Sequence, residues 1–352
     1  YGDMGSGIGV TAFGYGDEAW KAAVCAQLDK VQHTSNLYYN EPCAQLAKLL
    51  CEKTGMKKVF FSNSGAEANE CAIKAARKYS AEKKGADCYT IVTLQNSFHG
   101  RTLTTLAATG QDHFHQLYQP LTSGFVHVPA NDIQALKDCV AKVKVAGILM
   151  EVVQGEGGVL PLTAEYLAAA NKLAHEQDIP LMMDEVQIGN GRSGKLYGYM
   201  NFDVQPDIVS TAKGLGGGLP IGACLLGEKV QNVLGFGDHG STYGGNPVCC
   251  AGGVSIIGRL TDDFLAEVQK KSAYVFQTLT GAPGIESVTG LGLMIGVKPV
   301  APAAEVVKKC MERGVLCLTA KNKVRLLPAL NIPMEDLKFA AETIRAVAAE
   351  LA

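Results

Sequence analysis

The chain of 352 residues has no C-x-x-C pair, no block of like charges, no internal repeat and no low-complexity segment. Its eleven cysteines are scattered, and the one adjacent pair, Cys249 and Cys250, is badly spaced for either a disulfide or a zinc ion. Seven histidines add no ligand spacing. A disulfide scaffold and a structural metal are therefore not expected, and the thiols read as reduced and mostly buried, in a cytoplasmic protein. With 32 basic and 34 acidic residues the net charge is −2, which offers no electrostatic footprint for nucleic acid or a membrane surface. Every apolar run is broken by Gly, Pro or charge before it reaches the roughly 18 residues of a spanning helix, and no export signal is recognisable. The opening Tyr1–Val10 stretch lacks an initiator Met and reads as if residues precede it. Its Gly5-x-Gly7-x-Gly9 pattern misses the third glycine of a dinucleotide fingerprint and is expected to form a tight loop beside a site.

What is present is a hydrophobic content of 47% against 19% charged residues, enough for a large core and two lobes. From about Pro42 the pattern alternates. Leu46–Lys53, Ala66–Lys84, Ile133–Val143 and Ala164–Glu176 read as helices. Lys58–Ser62, Tyr89–Leu94, Phe125–Val128, Ala146–Val153, Leu181–Val186, Ile208–Thr211 and Ile221–Leu226 read as strands. Such alternation predicts an α/β fold with a largely parallel sheet covered on both faces. After helical Val248–Leu260 and Asp263–Leu279 the texture changes. Short strands are expected at Glu286–Val297, Val315–Leu318 and Val324–Leu327, with helices at Ala303–Glu312 and Met334–Leu351. The expected division is a large unit at 41–255 and a smaller α+β unit at 256–352, which the segment 1–40 joins, there or at the site entrance.

Polar residues gather where these strands end, and open α/β sheets bind ligands there. Ser64 with Glu67 forms a capping box, which would explain both; the free amides of Gly65 and Ala66 at a helix start equally suit a phosphate. Phe98 could be core or a stacking platform, and Arg101 a solvated charge or a carboxylate clamp. Glu151 and Glu156 end another strand. Asp184 and Glu185 close the run from Leu181, and Lys213 follows an apolar strand that would desolvate its amine. An apolar strand ending in Asp-Glu also suits a nucleotide hydrolase. The nearest phosphate loop, Gly189–Leu196, puts Leu196 where a magnesium-binding hydroxyl is needed and has no helix pattern after it.

Taken in order, His33–Tyr38, S-G-A-E-A-N-E from Ser64, F-H-G-R-T from Phe98, Q-G-E-G-G from Gln154, D-E-V-Q from Asp184, A-K-G-L-G-G-G from Ala212 and G-S-T-Y-G-G-N-P from Gly240 resemble the class III aminotransferases of the fold-type I pyridoxal phosphate enzymes. Val324–Pro328 extends the match. The resemblance implies a large domain with a seven-stranded, mostly parallel sheet, a small C-terminal domain, and a homodimer. Pyridoxal 5'-phosphate would be held by Ser64, Gly65 and Ala66 at its phosphate, by Phe98 and Val186 on its ring faces, by Asp184 at its ring nitrogen and by Gln187 at its phenolic oxygen. Glu185 falls within the same motif, Thr242 would reach the phosphate of the other subunit, and Lys213 would bond the aldehyde and shuttle protons. Arg101 and Ser241 would contact the amino donor, and Arg325 the α-carboxylate of glutamate or 2-oxoglutarate, with Glu156 pairing Arg325 in between. Val152 and Ile188 depart from the usual Pro and Thr. Relatives carry several dozen residues before the Gly5–Gly7 loop, some lining the substrate entrance. The reaction expected is transfer of the terminal amino group of N2-acetylornithine to 2-oxoglutarate. Succinylornithine, ornithine or 4-aminobutyrate as donor, and a non-catalytic cofactor-binding scaffold, are the alternatives.

Overall fold

In the computed structural model, which describes residues 1–352, strands Ile91–Val92, Ile148–Leu149, Met182–Met183, Ile208–Val209 and Cys224–Leu225 each send one apolar side chain to either face of a sheet, and both faces are buried. The sheet has seven strands in the order Lys58–Ser62, Gly222–Leu226, Ile208–Thr211, Leu181–Asp184, Val145–Met150, Thr90–Leu94 and Phe125–Val128. Only Gly222–Leu226 runs against its neighbours; the others are mutually parallel. The C-terminal ends of six strands therefore share one edge.

Helix Gly65–Lys84 covers one face through Ala68, Cys71, Ala72, Ala75 and Ala76, all buried. These small side chains let it approach closely: a Cβ on Gly147 would lie 3.0 Å from Ala76 Cβ. The other face is covered with help from Ala164–Glu176, which buries Tyr166, Leu167, Ala170 and Ala174. A second sheet, fully antiparallel, runs Ile285–Leu291, Met294–Pro299, Lys323–Leu326 and Leu318–Ala320. Its neighbours include helices Asp262–Leu279, Ala303–Glu312 and Met334–Glu350.

Several expected boundaries move for identifiable reasons. The strand from Leu181 stops at Asp184, because Asp184 Oδ1 takes the Val186 amide at 3.0 Å and turns the chain. The strand from Val145 stops at Met150, and Val153–Gln154 pairs instead with Leu160–Pro161. The stretch Glu286–Val297 is a hairpin, turned at Gly292, whose φ of 59° suits glycine. A helix at Glu18–Leu28 had no strong apolar periodicity to announce it, yet Asp17 caps it by accepting the Trp20 amide at 2.8 Å. This helix packs on Pro247–Arg259, while Gly2–Asp3 pairs with Val315–Leu316 beside the second sheet. The first forty residues thus touch both halves, and position 255 falls within the helix that links them. No helix is long and apolar enough to cross a membrane.

Candidate active site

At the shared strand edge lies a cavity of about 510 Å³, within the range of small-molecule sites. Its wall includes Asn63–Ala66, Phe98–Arg101, Glu151, Glu156, Asp184, Val186, Gln187 and Lys213, with Val10 of the N-terminal loop closing one side. Residues from Asn63 to Lys213, about 150 positions apart in the chain, meet here because each lies at or soon after the end of a parallel strand.

Ser64 caps helix Gly65–Lys84 by accepting the Glu67 amide on its Oγ at 3.2 Å. Glu67 answers by accepting the Asn63 amide on Oε2 at 2.6 Å. The first-turn amides of Gly65 and Ala66 have no intrahelical acceptor, and both residues line the cavity at the positive helix end. A Cβ on Gly65 would sit 2.6 and 2.8 Å from the two methyl groups of Val186, so only glycine lets the helix start come this near.

Asp184 is buried, and both its carboxylate oxygens are engaged, Oδ1 by the Val186 amide alone. Its Oδ2 accepts from Asn69 Nδ2 at 2.7 Å and meets His99 Nδ1 at 2.8 Å, while Ser210 Oγ donates to Asn69 Oδ1 at 2.5 Å. Glu151, buried behind, accepts the Phe98 amide at 2.9 Å and the Gly155 amide at 3.2 Å, which ties two wall segments together. Burial pushes the Glu151 carboxyl upward, and His99 opposes that shift.

Lys213 sits in the left-handed region at φ 48°, unusual for a residue with a Cβ, in a short turn after strand Ile208–Thr211. Burial pulls its ammonium down to about 8, with Glu156 opposing and Arg325 adding to the fall. Arg325, buried on strand Lys323–Leu326 of the second sheet, donates from Nη1 to Glu156 Oε1 at 2.6 Å and to Gln187 Oε1 at 3.2 Å. Burial alone would raise the Glu156 carboxyl; the Arg325 guanidinium outweighs it and holds it low. Arg101, exposed at the other side of the cavity, lies with its guanidinium 5.7 Å from the Phe98 ring centre.

Four of the expected residues lie off the cavity wall: Arg325, which reaches it only through Glu156 and Gln187, and Glu185, Ser241 and Thr242. Glu185 is buried on the opposite side, accepting the Gly198 and Tyr199 amides at 2.7 and 2.9 Å, because neighbours on a strand point to opposite faces. Burial raises its carboxyl to about 7. Thr242 is exposed beside Leu37 and Asn36, and Ser241 is joined to the wall only through Asn63 Nδ2 at 3.1 Å. The Gly189–Leu196 segment is no phosphate cradle: Arg192 is buried, giving its Nη1 protons to Leu293 and Pro328 carbonyls, and Lys195 is exposed.

The donor set suits a flat, phosphorylated, aldehyde-bearing cofactor. Two free amides and a hydroxyl would suit its phosphate, an acid fixed by three hydrogen bonds would suit a protonated ring nitrogen, and an amine with a lowered pKa would suit its aldehyde. The class-III aminotransferase model matches residues 1–348. The chain belongs to this family. An acetylornithine aminotransferase of Haemophilus ducreyi is 52% identical over 353 residues, covering 100% of this chain and 90% of the relative. Among solved structures, N-acetylornithine aminotransferase of Stenotrophomonas maltophilia superposes with a TM-score of 0.86 at 33% identity, over 99% of this chain and 90% of that one. Ornithine aminotransferase of Toxoplasma gondii, which shows partial occupancy of PLP at its active site, gives 0.94 at 30% identity, over 99% and 86%. The backbone is thus shared across different donor specificities, and the class III aminotransferase fold by itself does not select the amine.

In this class III aminotransferase the residues not anticipated from sequence are Asn69, His99, Glu151 and Asn63. Asn69 lies one helical turn past Gly65 on the cavity side, a spacing that could have suggested it. Asn69 and His99 stood inside quoted motifs, and Glu151 at a named strand end, without an assigned task.

Proposed function

We propose that this class III aminotransferase moves the terminal amino group of N2-acetylornithine to 2-oxoglutarate through pyridoxal 5'-phosphate, giving N-acetylglutamate 5-semialdehyde and glutamate, a step of arginine biosynthesis. The observation that carries the reading is one lysine, Lys213, in a cavity that has the exposed Arg101 on its wall and the buried Arg325 paired to the wall residue Glu156. The choice of donor is supported by the 52% identity to an acetylornithine aminotransferase.

Pyridoxal phosphate supplies an aldehyde that condenses with primary amines and a protonated ring that accepts the electron pair of a broken C–H bond. The amides of Gly65 and Ala66 and the Ser64 hydroxyl would bind its phosphate. Phe98 and Val186 would flank the ring, Asp184 would hold the proton on the ring nitrogen, and Gln187 would bond the phenolic oxygen. Lys213, whose lowered pKa makes its neutral amine easier to reach, would take the proton from the amine-bearing carbon of the donor and return it on the cofactor side. Arg101 would hold the donor's carboxylate. Glu156 covers Arg325 while no oxo acid is bound, which matters because a buried guanidinium without a partner costs about 3 to 5 kcal/mol. The carboxylate of 2-oxoglutarate would replace Glu156 there.

A homodimer completes the reading. Its support is the exposed apolar surface of Leu37, Tyr38, Tyr39 and Tyr243, held together where Asn36 Nδ2 donates to the Ser241 and Gly244 carbonyls at 2.9 and 3.0 Å. Thr242 belongs to that surface and would reach the partner's phosphate. The units are 41–255 for the cofactor and 256–352 for the smaller domain, with 1–40 shared between them. A cytoplasmic location is supported by eleven free cysteines, five of them intermediate or exposed.

Turnover of N2-acetylornithine, N2-succinylornithine, ornithine and 4-aminobutyrate, measured side by side with 2-oxoglutarate, tests the assignment. The acetylated donor should give the highest kcat/KM; a place among the poorest would refute the substrate while leaving the reaction class intact.

A further inference from the structure

Arg101 on the cavity wall and Arg325 behind its wall residue Glu156 are held by different chemistry. Arg325 has a carboxylate partner, whereas Arg101 has two aromatic rings: its guanidinium lies 5.7 Å from the Phe98 ring centre and 5.1 Å from that of Phe114. The rings themselves meet edge to face at 5.6 Å and 66°. The neighbouring Glu70 carboxylate is already engaged by Thr102 Oγ1 at 2.5 Å. Phe114 does not line the cavity and belongs to neither apolar core. It is half-buried, like His115 after it, on a segment between buried Gln111 and exposed Gln116, and is backed by the His113 ring at 3.9 Å.

That segment is strapped to the strand end that carries Phe98. Gly110 donates its amide to Ser97 Oγ at 3.0 Å, Gln111 Nε2 donates to the Ser97 carbonyl at 3.0 Å, and His115 Nε2 meets the Leu106 carbonyl at 2.9 Å. The Phe114 amide closes the turn onto the Gln111 carbonyl. A ring fixed this way costs little entropy to keep in place, and a guanidinium resting on it is oriented without being neutralised. An acid partner would have to be displaced by an incoming carboxylate; an aromatic face does not.

We propose that Phe114 is a positioning residue for Arg101: with Phe98 it holds the guanidinium ready for the carboxylate of the amino donor, and so sets the enzyme's KM for the donor and not for the oxo acid. This rests on the reading of Arg101 as the donor's anchor and Arg325 as the oxo acid's.

The test compares the cofactor-loaded wild-type enzyme with Phe114→Leu, which keeps apolar bulk without a π face, and Phe114→Trp, which keeps the face. Phe114→Met replaces the leucine variant if that one does not fold. KM is measured for the wild type's preferred donor and for 2-oxoglutarate, and thermal unfolding is recorded. The leucine variant should raise the donor KM about two- to fivefold, the scale of a cation–π contact at an exposed guanidinium. Its KM for 2-oxoglutarate and its Tm should stay at the wild-type values, and the tryptophan variant should remain near wild type. An unchanged donor KM in the leucine variant, an equal rise in both KM values, or a tryptophan variant as impaired as the leucine one would overturn the proposal. The wild-type panel alone decides which donor is preferred. The variant-to-wild-type ratio on that donor alone decides the role of Phe114, so the two readings fail separately.

Discussion

Lys213 occupies a backbone conformation with φ 48° that costs a residue with a Cβ on the order of 1 kcal/mol. The glycines after it and the apolar strand before it keep it there, and the return is an amine aimed into the cavity with its pKa drawn down to about 8 by burial. Without cofactor, this has a sign. Between about 8 and the ordinary lysine value near 10.4, the unfolded chain binds a proton at Lys213 that the folded chain does not, so stability rises with pH across that window. Below it both states are protonated, and the full cost of the buried charge is present. Lys213→Met in the cofactor-free protein should therefore be more stable than wild type at pH 7, by on the order of 2 kcal/mol. Urea unfolding should show that gap shrinking toward pH 10; a gap independent of pH would refute the lowered pKa. Asp184 and Lys213 were legible in the sequence because each follows an apolar strand. Asn69, His99 and Glu151 were not, since what they do depends on partners 115, 85 and 53 residues away in the chain.

At the scale of elements, the start of helix Gly65–Lys84 does two jobs. Its Ser64 cap is local and readable in the sequence, although Glu67 reaches back to the Asn63 amide and not to the Ser64 amide of a capping box; its closeness to Val186 is not local and appears only when the chain turns after Asp184. Gly65→Ala puts a methyl group 2.6 Å from a Val186 carbon, so the helix start or the Val186 turn must shift. Overpacking of this kind costs about 1 to 3 kcal/mol, and the cofactor's dissociation constant should rise about tenfold or more, measured by fluorescence titration of the stripped protein. Affinity equal to wild type would mean that the helix start does not bind the phosphate. Strand ends were overestimated where the sequence stayed apolar, at Val152–Val153 and Val186, because side-chain acceptors, not loss of hydrophobicity, turn the chain there. Helix Glu18–Leu28 escaped notice for the opposite reason: its alanines form no distinct apolar stripe, and its stability comes from an Asp17 cap and packing on Pro247–Arg259.

Across the whole molecule the site is a product of two sheets. The C-terminal ends of five parallel strands of the seven-stranded sheet supply most of the wall, and the second sheet delivers Arg325 to Glu156 across 169 positions of chain. Alternation of helix and strand made the large sheet foreseeable, and motif order made the family foreseeable. The reversed strand Gly222–Leu226 was not, since nothing in five apolar residues records their direction. Nor does periodicity record that the segment 1–40 divides its contacts between both halves. What unites these parts is a single claim, that the cavity binds pyridoxal phosphate through Lys213. Borohydride reduction of the cofactor-loaded protein, followed by proteolysis and mass spectrometry, tests it most directly. The account predicts the added mass of the reduced cofactor on the peptide containing Lys213 and on no other lysine. The same mass on a different lysine, or its absence from the loaded protein, would contradict the account.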